Sequence, residues 1–233
     1  IAVDGNFDDC QNLVKAMFED RSFSKEIKMS GVNSINWARI IAQSVYYFYS
    51  YFLIEENNKP INFSVPTGNF GDVYAGYLAK KMGLPINKFL VATNQNDILH
   101  RAISKGTYDV EKVSETISPS MDIQIASNFE RLIYDLNNCN DTKTISAMKD
   151  IKEKGQYLID KKNLDKINID FLSSQMNEDE TLKTIKTVYE KFNIVLDPHT
   201  AIGYGAFDKV NLKGNNIVLA TAHPCKFPDA IKR

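Results

Sequence analysis

Thr67, Gly68, Asn69, Phe70, Gly71 and Asp72 lie within the run Val65-Pro66-Thr67-Gly68-Asn69-Phe70-Gly71-Asp72-Val73-Tyr74-Ala75-Gly76. A glycine turn lets backbone N–H groups point at one spot, and the start of a following helix adds partial positive charge. Such a turn suits a phosphate. It also reads as a tight strand-to-helix connection with no ligand, because glycine turns are common punctuation. The run has no Gly-Lys-Ser/Thr, which excludes a nucleoside triphosphate loop. Its glycines at 68, 71 and 76 miss the Gly-x-Gly-x-x-Gly spacing of dinucleotide folds. A small phosphorylated ligand is what remains. Asp72 stands beside that ligand or caps the helix.

Ser34, Asn36 and Arg39 open a second segment able to hold an anion. Asn36, Arg39 and Gln43 fall at three- and four-residue steps and so share one helix face. A helix start offering a hydroxyl, an amide and a guanidinium suits a second phosphate or a carboxylate. A capped surface helix with its arginine in solvent is the plainer reading. Thr221 follows an apolar strand and precedes Ala222-His223-Pro224. Its hydroxyl is placed to meet a ring nitrogen or merely to close a turn. His223 has no acidic neighbour in sequence and reads as a turn residue, and Asp197 and Asp72 read as turn or cap residues. No Gly-x-Ser-x-Gly and no nucleophile–base pair is present, so a triad hydrolase is unsupported.

The elements that must carry these residues alternate. Ile61 to Val65 is a short apolar strand, and Asp72 to Lys81 is a helix ended by Gly83 and Pro85. Lys88 to Thr93 is a second strand, followed by a helix near His100. Strand, helix, strand with short links predicts an α/β fold, an open and mostly parallel sheet with flanking helices. Strands are also expected at Ile1 to Val3, Asn193 to Asp197 and Asn216 to Ala220. Asp8 to Phe18 reads as a helix with a capping box from Asp8 to Gln11. A long helix capped by Ser34 has Trp37, Ile41, Val45, Phe48 and Phe52 as its expected core stripe. Ser127 is expected to cap a helix through Leu136. Residues 141 to 190 are polar and Lys-rich and read as helical. Ligands of open α/β sheets sit beyond the carboxyl ends of strands. The turns at Gly68, Asp197 to Thr200 and Thr221 to Pro224 are therefore expected to meet at one cleft.

Bulk composition narrows the class. With 43% hydrophobic and 24% charged residues, the chain is an ordinary globular sequence able to bury a large core. A net charge of −1, with Lys and Arg dispersed, argues against nucleic acid or a polybasic membrane surface. Cys10, Cys139 and Cys225 are odd in number and far apart, which favours a reducing compartment; His100, His199 and His223 show no metal spacing. No stretch reads as a membrane span or a signal peptide, and a cytoplasmic location is expected. The chain opens without methionine on what reads as a strand in progress, which predicts the later part of a longer protein.

Five segments carry a resemblance in order along the chain. They are Asn6-Phe7-Asp8-Asp9-Cys10-Gln11, Val32-Asn33-Ser34-Ile35-Asn36-Trp37-Ala38-Arg39, Ser64 to Asp72, Ser118-Pro119-Ser120-Met121-Asp122 and Ala220-Thr221-Ala222-His223-Pro224. Together they closely resemble the threonine synthase family, in the branch shared by many bacteria and fungi. The likeness thins only over about residues 138 to 190. It implies a pyridoxal 5'-phosphate enzyme of fold type II, tryptophan-synthase-β-like, that turns O-phospho-L-homoserine and water into L-threonine and phosphate by γ-elimination and β-hydration. By that resemblance Gly68, Asn69, Phe70, Gly71 and Asp72 bind the cofactor, and Thr221 meets its ring nitrogen. Ser34, Asn36 and Arg39 hold the substrate phosphate.

The resemblance also implies a division of the chain. Residues 1–30 would be a remnant of the smaller α/β domain, and 31–233 the large cofactor-binding domain with a variable helical segment at about 138–190. One departure matters. The family's Schiff-base lysine lies upstream, and no lysine here matches its surroundings, so this chain alone is expected to be inactive and names no catalytic residue. Two alternatives stay open: a sister lyase such as a serine/threonine dehydratase, and a non-catalytic homologue that binds a phosphorylated metabolite. No metal is expected.

Overall fold

The structure is a computed structural model that describes residues 2–5, 7–29, 31, 36–54 and 59–232. In chain order the first elements are α1 (Phe7–Glu19), α2 (Arg21–Glu26), α3 (Trp37–Phe52), β1 (Ile61–Pro66), α4 (Gly71–Lys81) and β2 (Ile86–Thr93). The middle of the chain adds α5 (Ile98–Lys105), β3 (Thr107–Asp109), α6 (Phe129–Leu136), α7 (Asp141–Lys154) and β4 (Gln156–Leu158). The last part adds α8 (Lys161–Asp170), β5 (Phe171–Gln175), α9 (Glu178–Phe192), α10 (Pro198–Val210), β6 (Asn215–Val218) and α11 (Pro228–Lys232).

The fold is α/β, as the strand–helix–strand order predicts. Four strands form a parallel sheet in the order β5-β2-β1-β6, and β3 and β4 pair antiparallel in a separate ribbon. Every residue of β1 is buried, the mark of a parallel strand covered on both faces. Side chains of a strand alternate between faces, and β2 shows this directly. Phe89 and Val91 enter the larger core with Tyr47, Phe63 and Phe171, while Leu90 and Ala92 enter a smaller one with Met121, Met176 and Ile202. Register aligns Phe63, Phe89 and Phe171 across three strands. The rings of Phe89 and Phe171 stack at 5.5 Å, and Tyr47 from α3 meets Phe63 at 4.8 Å.

On the other face α10 crosses the sheet through small residues. A Cβ at Gly203 would stand 3.0 Å from both Pro66 and Val218, and the Ser64 hydroxyl donates to the Gly203 carbonyl at 2.6 Å. This close approach brings the amino end of α10 to the carboxyl ends of β1 and β6.

Several expected elements differ. Residues 141 to 190 are not wholly helical: they contain β4 and also β5, an edge of the main sheet. The mixed sequence Phe171-Leu172-Ser173-Ser174-Gln175 takes its strand character from β2 beside it rather than from its own propensity. Asn193 to Asp197 forms no strand; Asn193 ends α9 in a left-handed conformation and the chain runs without a ladder to α10. Ala2 and Val3 are likewise not in a strand. Ser127 does not cap α6, where Asn128 takes that position, and the Ser127 hydroxyl is buried without a partner among the described residues. The polar connection before α3 contains the short helix α2, capped by Asp20. The Asp8 side chain expected in a capping box lies outside the described residues.

Candidate functional site

The three turns expected to meet do so around one cavity of about 740 Å³. Thr67, Gly68, Asn69 and Asp72 line it from the β1–α4 turn, and His199 from the start of α10. Ala220, Thr221 and Ala222 line it from the turn after β6, Ser120 and Met121 from the loop before α6, and Arg39, Gln43, Tyr46 and Tyr49 from α3. This is the crevice beyond the carboxyl ends of the strands where open parallel sheets place ligands.

The Gly68 turn is tightly held. The Thr67 N–H donates to Ala92 at 3.0 Å, and the Asn128 N–H donates to the Asn69 carbonyl at 3.0 Å. A Cβ at Gly68 would lie 3.0 Å from the Ser120 carbonyl and 3.1 Å from Met121 Cα, so only glycine lets the two backbones come this close. Phe70 takes φ 68°, a left-handed conformation uncommon for a bulky residue. Its buried ring meets Phe129 at 5.2 Å and Phe171 at 5.8 Å, and this packing fixes the turn from below. The phenyl group therefore serves the core, and Phe70 and Gly71, both buried, are not among the residues that line the cavity. Their N–H groups reach side-chain oxygens of the same turn, Phe70 to Thr67 Oγ1 at 3.2 Å and Gly71 to Asn69 Oδ1 at 2.8 Å.

Asp72 lies one residue inside α4. Burial pushes its carboxyl up to about 6, against the lowering effect of a hydrogen bond from Tyr47. The Tyr47 hydroxyl donates to the Asp72 carbonyl at 2.7 Å and is 3.4 Å from its carboxylate. Burial, together with that carboxylate, pushes the Tyr47 phenol well above its ordinary range.

On α3 the expected set divides. Arg39 reaches the cavity, with Gln43 beside it donating to the Arg39 carbonyl at 2.9 Å. Asn36 does not line it. Its side chain caps α3 at the Ala38 N–H (3.0 Å) and donates to Gly31 at 3.0 Å, the ordinary duty of an Asn at this position. It takes the cap that Ser34 was expected to supply; Ser34 itself lies outside the described residues. The expected core stripe is also rotated. Ile40, Ser44 and Tyr47 are the buried positions, whereas Val45 is 60% and Phe52 74% exposed. Trp37 lies against Tyr74 and under the Arg131 guanidinium.

His199, which lines the cavity, belongs to a buried polar cluster that motif reading did not assemble. Asp197, His199 and Thr200 are all buried. Asp197 caps α10, with Pro198 at its first position, as sequence suggests for an Asp-Pro start. Its carboxylate accepts from the His199 N–H at 2.9 Å, from His199 Nδ1 at 3.0 Å and from the Thr200 hydroxyl. Burial pushes this carboxyl up, but those donors outweigh it and hold it below its ordinary range. His199 Nε2 accepts from the Ser120 N–H at 3.3 Å, which places the ring proton on Nδ1. His223 stays a turn residue, its Nδ1 accepting from the Cys225 N–H at 3.2 Å. Among the described residues no lysine lines the cavity, no cluster suits a metal ion, and no helix is long and apolar enough to cross a membrane.

Comparison with known proteins agrees with this architecture. Residues 200–233 match the family model "Threonine synthase, C-terminal". The threonine synthase of Pseudomonas aeruginosa is 45% identical over 235 residues, covering 100% of this chain and 50% of that protein. Over its whole length the chain is thus similar to one part of a threonine synthase. That of Saccharomyces cerevisiae is also 45% identical, over 99% of this chain and 49% of its own length. A PLP-bound threonine synthase from Brucella melitensis superposes with a TM-score of 0.90 at 48% identity, covering 99% of this chain and 50% of that one. The chain spans about half the length of the threonine synthases it matches.

Proposed function

We propose that this chain is the cofactor- and phosphate-binding part of a threonine synthase, which converts O-phospho-L-homoserine and water into L-threonine and phosphate. One observation carries the reading: the Gly68 turn, the Thr221 turn and Arg39 share one cavity. Its volume lies within the range of small-molecule sites.

The residues present fit pyridoxal 5'-phosphate, as bound by the Brucella relative. Thr67 Oγ1 and Asn69 Oδ1 already occupy N–H groups of the turn as side-chain stand-ins for anion oxygens, so a phosphate would exchange like for like. Gly68, Asn69, Phe70 and Gly71 would hold that phosphate, with Asp72 beside it. Thr221, exposed to the cavity, would offer a neutral hydroxyl to the ring nitrogen. When bound, the cofactor supplies an electron sink for charge that develops beside the substrate's α carbon.

Arg39 would grip the phosphoryl ester of the substrate. A guanidinium there offsets the charge that grows on phosphate as it leaves the γ carbon with the bonding electrons. Ser34 and Asn36 would shape this grip from the start of α3, Asn36 by capping and not by direct contact. Water then contributes its oxygen to the β carbon. No lysine lines the cavity among the described residues, so we assign catalysis to the protein only together with the half of its relatives that this chain does not span. We keep residues 1–30 as a remnant of the smaller domain, since α1 and α2 add no strand to the sheet, and 31–233 as the large domain. The three cysteines are free, in keeping with a cytoplasmic home.

The test is phosphate release and threonine formation from O-phospho-L-homoserine by the protein at the full length of its relatives. An R39A variant should raise KM by about tenfold or more, the cost of a lost charge-assisted contact, with cofactor affinity nearly unchanged. Equal losses in both, or no phosphate release at all, would remove the assignment.

A further inference from the structure

We propose that Asp197 and Thr200 form a positioning device for Thr221, acting through one hydroxyl, so that the ring side of the cavity is set by the start of α10. The inference rests on the cofactor reading above and deepens it. Thr221 is exposed and belongs to a turn that follows β6, with no regular element around it. Its N–H donates to Thr200 Oγ1 at 3.4 Å. The Thr200 hydroxyl in turn donates to Asp197 Oδ2, a short contact inside a buried cluster. That hydroxyl has one proton and two lone pairs, so giving its proton to Asp197 leaves a lone pair directed at Thr221. The order of donation is fixed, because an ionised carboxylate only accepts and a backbone N–H only donates.

The same carboxylate holds the opposite rim. Asp197 Oδ1 accepts from His199 Nδ1 at 3.0 Å, and His199 Nε2 accepts from Ser120 at 3.3 Å. The Ser120 carbonyl is the group that abuts Gly68. One buried acid thus reaches two residues of the cavity lining, Thr221 through Thr200 on the ring side and Ser120 through His199 on the phosphate side. Phe227 packs on the His199 ring at 4.9 Å and fixes it. Thr200 does not line the cavity and acts through Thr221, so its role is positioning and not catalysis.

The two links make the two ends of the ligand separable by experiment on this chain. The probes are pyridoxamine 5'-phosphate, which has the phosphate and ring nitrogen but no aldehyde to react with surface lysines, and inorganic phosphate. Thr200→Val keeps the shape and removes the hydroxyl; Thr200→Ser restores it. Calorimetric titration should show T200V weakened about tenfold for pyridoxamine phosphate and under about twofold for inorganic phosphate, with T200S within about threefold of the parent for both. Circular dichroism induced in the bound ring should shift in T200V and return in T200S. Unchanged ring binding in T200V, or equal weakening for both probes, overturns the device. Failure of the parent chain to bind either probe removes the cofactor reading itself, and the device with it.

Discussion

Asp72 offers the sharpest test of the electrostatics. Its carboxyl lies beside the buried Tyr47 hydroxyl, and burial raises it from an ordinary 3.8 to about 6. At 1.36 kcal/mol for each tenfold in proton affinity, that rise corresponds to about 3 kcal/mol, an upper bound because the side chain also faces an open cavity. The sign follows from proton counting. Between pH about 4 and about 6 the folded chain keeps a proton that the unfolded chain has released. Stability should therefore fall as pH rises through that window and level off above it. Asp72→Asn cannot ionise, so its profile lacks this fall, and the Tyr47 bond to the backbone carbonyl remains available. Urea unfolding of both chains at intervals from pH 4 to pH 8 gives the difference directly. Relative to the parent, D72N should gain up to about 3 kcal/mol between pH 4 and pH 7. His100 titrates in both chains and cancels in the comparison. Asp197, with its carboxyl held low, loses its contribution only as pH falls below this range. Parallel profiles within about 0.5 kcal/mol would refute the burial argument, because a solvated Asp72 carries no such dependence.

Two further outcomes follow from packing and capping. Gly76→Ala places a Cβ 2.7 Å from Phe89 and nearer still to the Tyr47 ring, both fully buried. Overpacking should outweigh the helix-propensity gain and cost about 1–2 kcal/mol in urea unfolding; a stabilised variant would show that α3 and α4 are free to separate. Asn177 and Glu180 form a capping box at the start of α9. Asn177→Ala should cost about 1 kcal/mol, and no change in the unfolding midpoint would mean that this end of α9 is frayed.

Local chemistry made much of this chain legible before any coordinates. Pro66, Gly68 and Gly71 mark a strand-to-helix turn whatever surrounds them, because φ limits and missing side chains act within a few residues. Asp197 reads as a turn or cap residue for the same reason, and it caps α10. Apolar runs at Ile61 and Lys88 gave the parallel sheet, since a strand covered on both faces has no need of polar alternation. The resemblance then named the residues at the turns, and Gly68, Asn69, Asp72, Thr221 and Arg39 share a cavity.

Other features depended on partners far away in sequence. Both sides of α3 are rich in aromatic and aliphatic residues, so periodicity alone could not say which faces inward. The buried side is that of Tyr47, because the gap left by Gly76 admits its ring against Phe63 and Phe89. β5 has a weak strand sequence and exists because β2 offers it a ladder. Asn36 became a cap and left the anion cavity to Arg39, a matter of where α3 begins by one turn. The cluster of Asp197, His199 and Thr200 with Ser120 and Thr221 spans separations of about 20 to 80 residues. Sequence fixes which groups can donate and accept; the crossing of α10 over the sheet decides which of them meet.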